Sequence, residues 1–203
     1  MDENQISYEE IDREIEERAT DRRRRRPHEI FDFVELIVIA LSVILLVTLF
    51  IFRQTIVEGG SMNNTLLDGE RIVISDLLYT PKAGDIVVLQ VTEEMAAKNP
   101  KLVENGAIIK RVIATEGQTV TIKGGTVFVD GIALDEKYVY RDGPDYAHTG
   151  TLTVTVSEGH LFVLGDHRNS SYDSRDFGEV DERTVIGKAL FRIFPFSRIG
   201  GIS

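Results

Sequence analysis

Two different spacings of apolar and polar residues divide this chain. From Leu36 to Phe52 (LIVIALSVILLVTLFIF) nothing is charged and only Ser42 and Thr48 are polar, an unbroken run of 17 residues. A hydrocarbon core about 30 Å thick asks for roughly 20 such residues, a length reached when the run extends back to Phe33 with Glu35 at the interface. The pattern therefore predicts a transmembrane helix over 33–52. A cleaved secretory signal fits less well, because the run starts deep in the chain, exceeds a usual h-region and precedes no small-x-small site. A core helix would show a polar face to water, and this one has none.

Beyond Phe52 the spacing changes to period two, with dense turn signals. Strands are predicted at Arg71–Ser75 (RIVIS), Asp85–Val91 (DIVVLQV), Ile108–Ala114 and Thr119–Lys123 (TVTIK). Further strands are predicted at Thr126–Val129, Thr151–Val156, His160–Leu164 and Val185–Phe194. Gly124-Gly125 between two of these reads as a hairpin, and Asp130-Gly131 as the next turn. Thr92–Gly106 is the predicted helical or irregular insertion, and Lys137–Gly150 the predicted mobile loop. The reading is a mostly β, antiparallel domain over 53–203, behind one membrane helix at 33–52 and a charged tail at 1–32.

Charge adds an orientation. Seven Arg fall in the 20 residues before Phe33, against only Arg53 soon after Phe52. By the Lys/Arg bias of membrane topology the tail is cytoplasmic and the β domain lies outside. The tail alternates Glu and Arg with thin apolar spacing at Ile11 and Ile15, as in a solvated helix or disordered segment. A net charge of -10 excludes nucleic acid as a partner, since phosphate binding needs clustered cations on a folded surface. The chain has no cysteine, which excludes disulfides and thiolate chemistry. Its four histidines form no ligand-like or triad-like group, so no metal or cofactor is expected.

What remains for covalent chemistry is hydroxyl and amine. Ser61 follows Gly59 and Gly60, and glycines permit the close approach of an exposed nucleophile; a serine after two glycines is also common in plain loops. Lys110 lies in a strand whose alternation groups it with Ile108, Val112 and Ala114. Burial there would lower its pKa and let it accept a proton. A lysine that snorkels to water from a strand edge fits the same spacing. Arg111, on the opposite face, reads as a surface or salt-bridged residue. Gly165 to Arg175 (GDHRNSSYDSR) follows an apolar strand with nearly continuous polarity, which suits an internally salt-bridged scaffold or a solvated, ion-binding loop.

Four segments together carry a resemblance: Ser61-Met62-x-x-Thr65-Leu66, Gly84-Asp85-Ile86-Val87-Val88, Ile109-Lys110-Arg111-Val112-Ile113, and Gly165-Asp166-x-Arg168-x-x-Ser171-x-Asp173-Ser174-Arg175. In this order, after a membrane anchor, they resemble the successive boxes of bacterial type I signal peptidases. Ile186-Gly187-Lys188-Ala189 through Pro195-Phe196 resembles the same family's C-terminus. The resemblance implies an antiparallel β-sheet catalytic domain of the signal-peptidase type on a single N-terminal transmembrane helix. It implies a serine endopeptidase that cuts signal peptides from exported preproteins at the outer face of the cytoplasmic membrane, with membrane lipid as a second partner.

By the same resemblance Ser61 is the nucleophile, Lys110 the general base and Ser171 the residue that hydrogen-bonds and orients the lysine. Arg111 with Asp166, and Asp173 with Arg175, would be structural salt bridges, and Met62 would help line the substrate pocket. Four departures accompany it. Asn64 stands where the family usually has Pro, Ala114 to Gln118 replace Gly-x-Pro-Gly-Asp, and His167 replaces Asn. Gly59 stands where some members place a Ser hydroxyl in the oxyanion hole. The short stretch from Leu134 to Thr151 implies no large accessory domain. Two rivals remain at this point: another Ser/Lys hydrolase of the self-cleaving repressor type, and a catalytically impaired paralogue that binds or scaffolds at the membrane.

Overall fold

The computed structural model describes residues 8–104, 106–143 and 150–202. Its contacts divide the chain into two units, Met1–Phe50 and Ile51–Ser203. In the first, the described residues form one helix, α1 (Tyr8–Ile51, 44 residues). The helix carries the predicted apolar run, but its side chains are described only as far as Leu46 along that run. Among the described residues no helix is long and apolar enough to cross a membrane.

The second unit is built almost wholly of antiparallel strands, as the period-two spacing predicts. One sheet begins at β1 (Arg53–Ile56), which pairs with β2 (Arg71–Ser75). The next strand across, beside β2, is the long β11 (Val185–Phe194), which also pairs with β3 (Ile86–Gln90). From β3 the sheet continues through β4 (Ala107–Thr115) and β9 (His160–Leu164) to the short β10 (Val180–Asp181). β12 (Gly200–Gly201) adds to β11. A second sheet runs in the order β7, β6, β5, β8, formed by Ile132–Ala133, Thr126–Val129, Thr119–Lys123 and Leu152–Thr155.

Both faces of the larger sheet are covered, and its central strands show why. In β3, Val87 and Leu89 pack into one apolar cluster while Ile86 and Val88 pack into another. β9 behaves alike, with Leu161 and Val163 on one side and Phe162 and Leu164 on the other. Continuous apolar runs of this kind are what strands buried on both faces require. In β4 the register against β9 slips between Val112 and Ala114, a bulge that sends both Ile113 and Ala114 into the cluster beneath the second sheet. The bulge lies just beyond Lys110 and Arg111, two of the residues singled out by the sequence.

The predicted insertion after β3 is a short helix, α2 (Glu93–Lys98), followed by a 3-10 turn at Pro100–Glu104. Thr92 caps α2 through its hydroxyl to the Met95 amide, and Met95 enters the core. The predicted mobile loop falls partly on residues 144–149, which lie outside the described residues.

Candidate active site

Ser61 sits in a tight turn a few residues after β1, in which the Asn63 amide donates to the Gly60 carbonyl at 3.1 Å. Gly59 reaches it with a φ of +78°, a conformation that a side chain would strain. The turn is tied from several sides. The Gly59 amide donates to Asp68, the His167 amide donates to the Ser61 carbonyl, and the Thr65 hydroxyl donates to Asp166 at 2.5 Å.

Lys110 arrives from β4. Alternation puts it on the face of Ile108 and Val112, both in the core, and it is only 3% exposed. Its Nζ lies 2.8 Å from Ser61 Oγ. Burial lowers its pKa to about 8; the carboxylates of Asp173 and Asp166 pull the other way, and Arg175 adds to the lowering. Desolvation thus outweighs nearby negative charge, and a neutral amine beside the hydroxyl becomes accessible near physiological pH. Hydroxyl and amine stand in hydrogen-bond reach, the arrangement that activated hydroxyl chemistry requires.

Gly165 to Arg175 forms the scaffold around the pair. Asp173 caps the short helix α3 (Ser174–Phe177), accepts the Gly165 amide at 3.0 Å and binds the Arg175 guanidinium at 2.8 Å through both oxygens. Burial would raise its pKa, but Arg175 and the Gly165 amide overcome this and hold the carboxyl below the usual range. Arg111 binds Asp166 in the same two-pronged way, at 2.9 and 2.8 Å, and lies 3.9 Å over the Tyr138 ring. The reading of Arg111 as a surface or salt-bridged residue resolves to a buried pair. The opposite face of β4 is covered, leaving the guanidinium no route to water.

Ser171 is buried in this scaffold, packed against Gly165, and its hydroxyl lies beside the Asp173 carboxylate and makes no hydrogen bond to Lys110. The orienting bond that the resemblance implies is therefore not formed in this structure. Met62 is also placed differently from its expectation. It is 1% exposed, packed with Val57, Leu66 and Ile72 beneath the turn rather than on a pocket wall.

A cleft of about 340 Å³ runs past the pair, lined by Gln54, Thr55, Ile56 and Glu58 on one side and Ala107, Ile108, Ile109 and Lys110 on the other. Its strands explain it. β1 pairs only with β2, and β4 pairs with β9 only from Arg111 onward. The cleft thus lies between two strand edges that no strand of this chain occupies among the described residues.

Three supports escaped sequence reasoning. Glu70 is buried between Arg192 at 2.8 Å and Arg198 at 2.7 Å, and the two arginines also donate to the carbonyls of Thr65 and Asn64. Arg168 binds Glu136 in the interior. Asp85 binds Lys188 at 2.5 Å. In each pair the partners are distant in sequence, so no local spacing announces them. The nearest signal is a Glu or Arg flanked by strand residues.

With this geometry in view, comparison with known proteins gives one answer. The family described as signal peptidase, peptidase S26, matches residues 30–194. A signal peptidase I of Leptolyngbya laminosa is 38% identical over 167 residues, covering 80% of this chain and 79% of its own. One from Bacillus licheniformis is 35% identical over 194 residues, covering 91% and 97%. A crystal structure of signal peptidase I from Enterococcus faecalis V583 is 31% identical, covers 54% of this chain and 97% of its own, and has a TM-score of 0.40.

Proposed function

The chain belongs to the signal peptidases of peptidase family S26, and on that footing we propose that it is a serine endopeptidase in which Ser61 and Lys110 cut signal peptides from preproteins. The observation that carries the assignment of the pair is the 2.8 Å approach of a buried lysine to the serine hydroxyl. Neutral Lys110 takes the Ser61 proton as Oγ attacks the scissile carbonyl. The resulting ammonium gives that proton to the leaving amine, and the freed amine then activates the water that hydrolyses the acyl-enzyme.

Binding follows from the cleft. An extended segment of the preprotein adds between the edges of β1 and β4, where backbone groups are available for strand pairing. Small residues at positions -1 and -3, the A-x-A pattern, suit a cleft whose walls include Ile56, Ile108 and Ile109. The run 33–52 is the anchor of this reading, with the tail cytoplasmic and the domain outside. Exposed Phe194 and Phe196, which meet edge to face near the C-terminus, suit a domain resting at a lipid surface.

The direct experiment incubates the purified chain in detergent with a preprotein and reads the new N-terminus. Cleavage after A-x-A supports the reading, and an untouched preprotein overturns it. The pH profile tests the base. If kcat depends on neutral Lys110, it rises about tenfold per pH unit below about 8 and levels above. A profile flat from pH 6 to 9 would remove Lys110 from that role.

Gly165→Ala tests the scaffold. A Cβ there would fall 2.1 Å from Ser171 Oγ and 2.6 Å from the Ser61 carbonyl, so the nucleophile turn must move. Displacements near 1 Å cost on the order of a hundredfold in such sites. A kcat within about threefold of wild type would show that the close approach has no bearing on catalysis.

A further inference from the structure

Attack by Ser61 puts negative charge on the scissile oxygen, and a donor must already be aimed at it. Gly59 supplies no hydroxyl, which leaves the Ser61 backbone amide. That N–H donates to no protein group among the described residues. Its direction is set by its own peptide plane. In a trans peptide the Gly60 carbonyl and the Ser61 N–H point opposite ways, so whatever grips the carbonyl aims the amide.

Two donors grip it. The Asn63 amide does so from inside the turn at 3.1 Å, and His167 Nδ1 does so from across the site at 3.2 Å. The backbone amide of His167 also donates to the Ser61 carbonyl at 3.0 Å, so one residue holds the carbonyls on both sides of the nucleophile. The ring is built in. It is 5% exposed, sits edge-on to Tyr140 at 4.8 Å, and has Nε2 3.1 Å from Asp142. A carbonyl only accepts, so in this contact Nδ1 is the donor. The Tyr140 segment is fixed in turn, since its amide donates to the Asp166 carbonyl and its carbonyl accepts from the Arg168 amide.

We propose that His167 is a positioning residue for the oxyanion hole: its imidazole locks the Gly60–Ser61 peptide so that the Ser61 N–H faces the developing charge. This rests on the reading of Ser61 and Lys110 as a peptidase pair. It assigns the ring a part in catalysis that touches no substrate atom.

A matched pair of substitutions tests it in the full chain in detergent, with a signal-peptide substrate bearing Ala at -3 and -1. His167→Asn carries an amide nitrogen about where Nδ1 sits, and His167→Gln carries one about where Nε2 sits. The asparagine variant keeps kcat within about threefold of wild type. The glutamine variant loses kcat by about tenfold with KM within about twofold, a part of the full cost of removing an oxyanion donor. A peptide aldehyde gives the second reading. Ser61 Oγ bonds its carbonyl carbon, the hydroxyl proton passes to Lys110, and the former carbonyl oxygen becomes the anion. Affinity for the aldehyde falls by a similar factor in the glutamine variant and not in the asparagine one.

Equal kcat and equal aldehyde affinity in the two variants, or a loss confined to KM, would overturn the proposal while wild type still cuts. A wild type that neither cuts the peptide nor binds the aldehyde would overturn the peptidase reading, and this inference with it.

Discussion

Ser61→Ala and Lys110→Ala each reduce preprotein cleavage to background, a loss on the order of a million-fold if chemistry is rate-limiting. The double variant is no worse than either single one, because nucleophile and base act as a unit and removing one disables the other. Lys110→Arg is equally inactive, since a guanidinium does not give up its proton in proteins. Lys110→Met separates this role from a structural one. The lysine pKa falls from 10.5 unfolded to about 8 folded. Below pH 8 both states hold the proton, and the fold bears the full cost of a desolvated ammonium. Between about 8 and 10.5 the unfolded chain binds more protons, so stability rises with pH, and above that range the cost is gone. At 1.36 kcal/mol per unit the cost is about 3 kcal/mol. Lys110→Met is therefore inactive yet more stable than wild type at pH 7, with the difference shrinking toward pH 10. Thermal unfolding of both proteins across that range checks it. A methionine variant less stable than wild type at pH 7 would mean that Lys110 holds the fold together and is not strained by it.

That trade also separates an enzyme from an impaired scaffold. A binding-only relative would gain stability from any apolar residue at position 110 and lose nothing by it. The retained lysine, placed 2.8 Å from Ser61, is hard to account for without chemistry.

The lysine was half legible in the sequence. Period-two spacing put it on an apolar face, but the same spacing allowed a snorkelling edge residue. What decides is coverage of both sheet faces, signalled by the unbroken Ile86 to Leu89 run rather than by anything near Lys110. The same coverage explains Arg111, whose buried pairing with Asp166 spans 55 residues. Asp173 and Arg175, two apart, were readable because the contact is local. β1 was missed because Arg-Gln-Thr-Ile shows no alternation of burial and follows the apolar run without a turn signal. Yet β1 forms one wall of the cleft. Met62 and Ser171 were placed by resemblance, and the structure moves the first into the core and leaves the second without the expected bond.

Asp166→Ala destabilises the β domain by about 3–5 kcal/mol, the usual cost of removing one partner of a buried ion pair. Arg111 and Asp166 are 3% and 1% exposed, so the substitution removes the carboxylate that faces a guanidinium held in the interior, where it also donates to the Gly84 carbonyl. For a unit of this size, the loss lowers the melting temperature by about 10 °C or more. Asp135→Ala is the control: its pair with Lys137 is 77% and 86% exposed, and such pairs contribute little. Replacing both buried partners, as Arg111→Met with Asp166→Leu, recovers much of the stability because no unpaired charge remains. It does not recover activity. Asp166 also accepts the Thr65 hydroxyl at 2.5 Å, four residues beyond Ser61, and a leucine there leaves that end of the turn untied. A double variant that melts near wild type but cuts poorly would place the ion pair's importance in holding the turn. One that both melts and cuts like wild type would reduce Asp166 to a replaceable piece of the core.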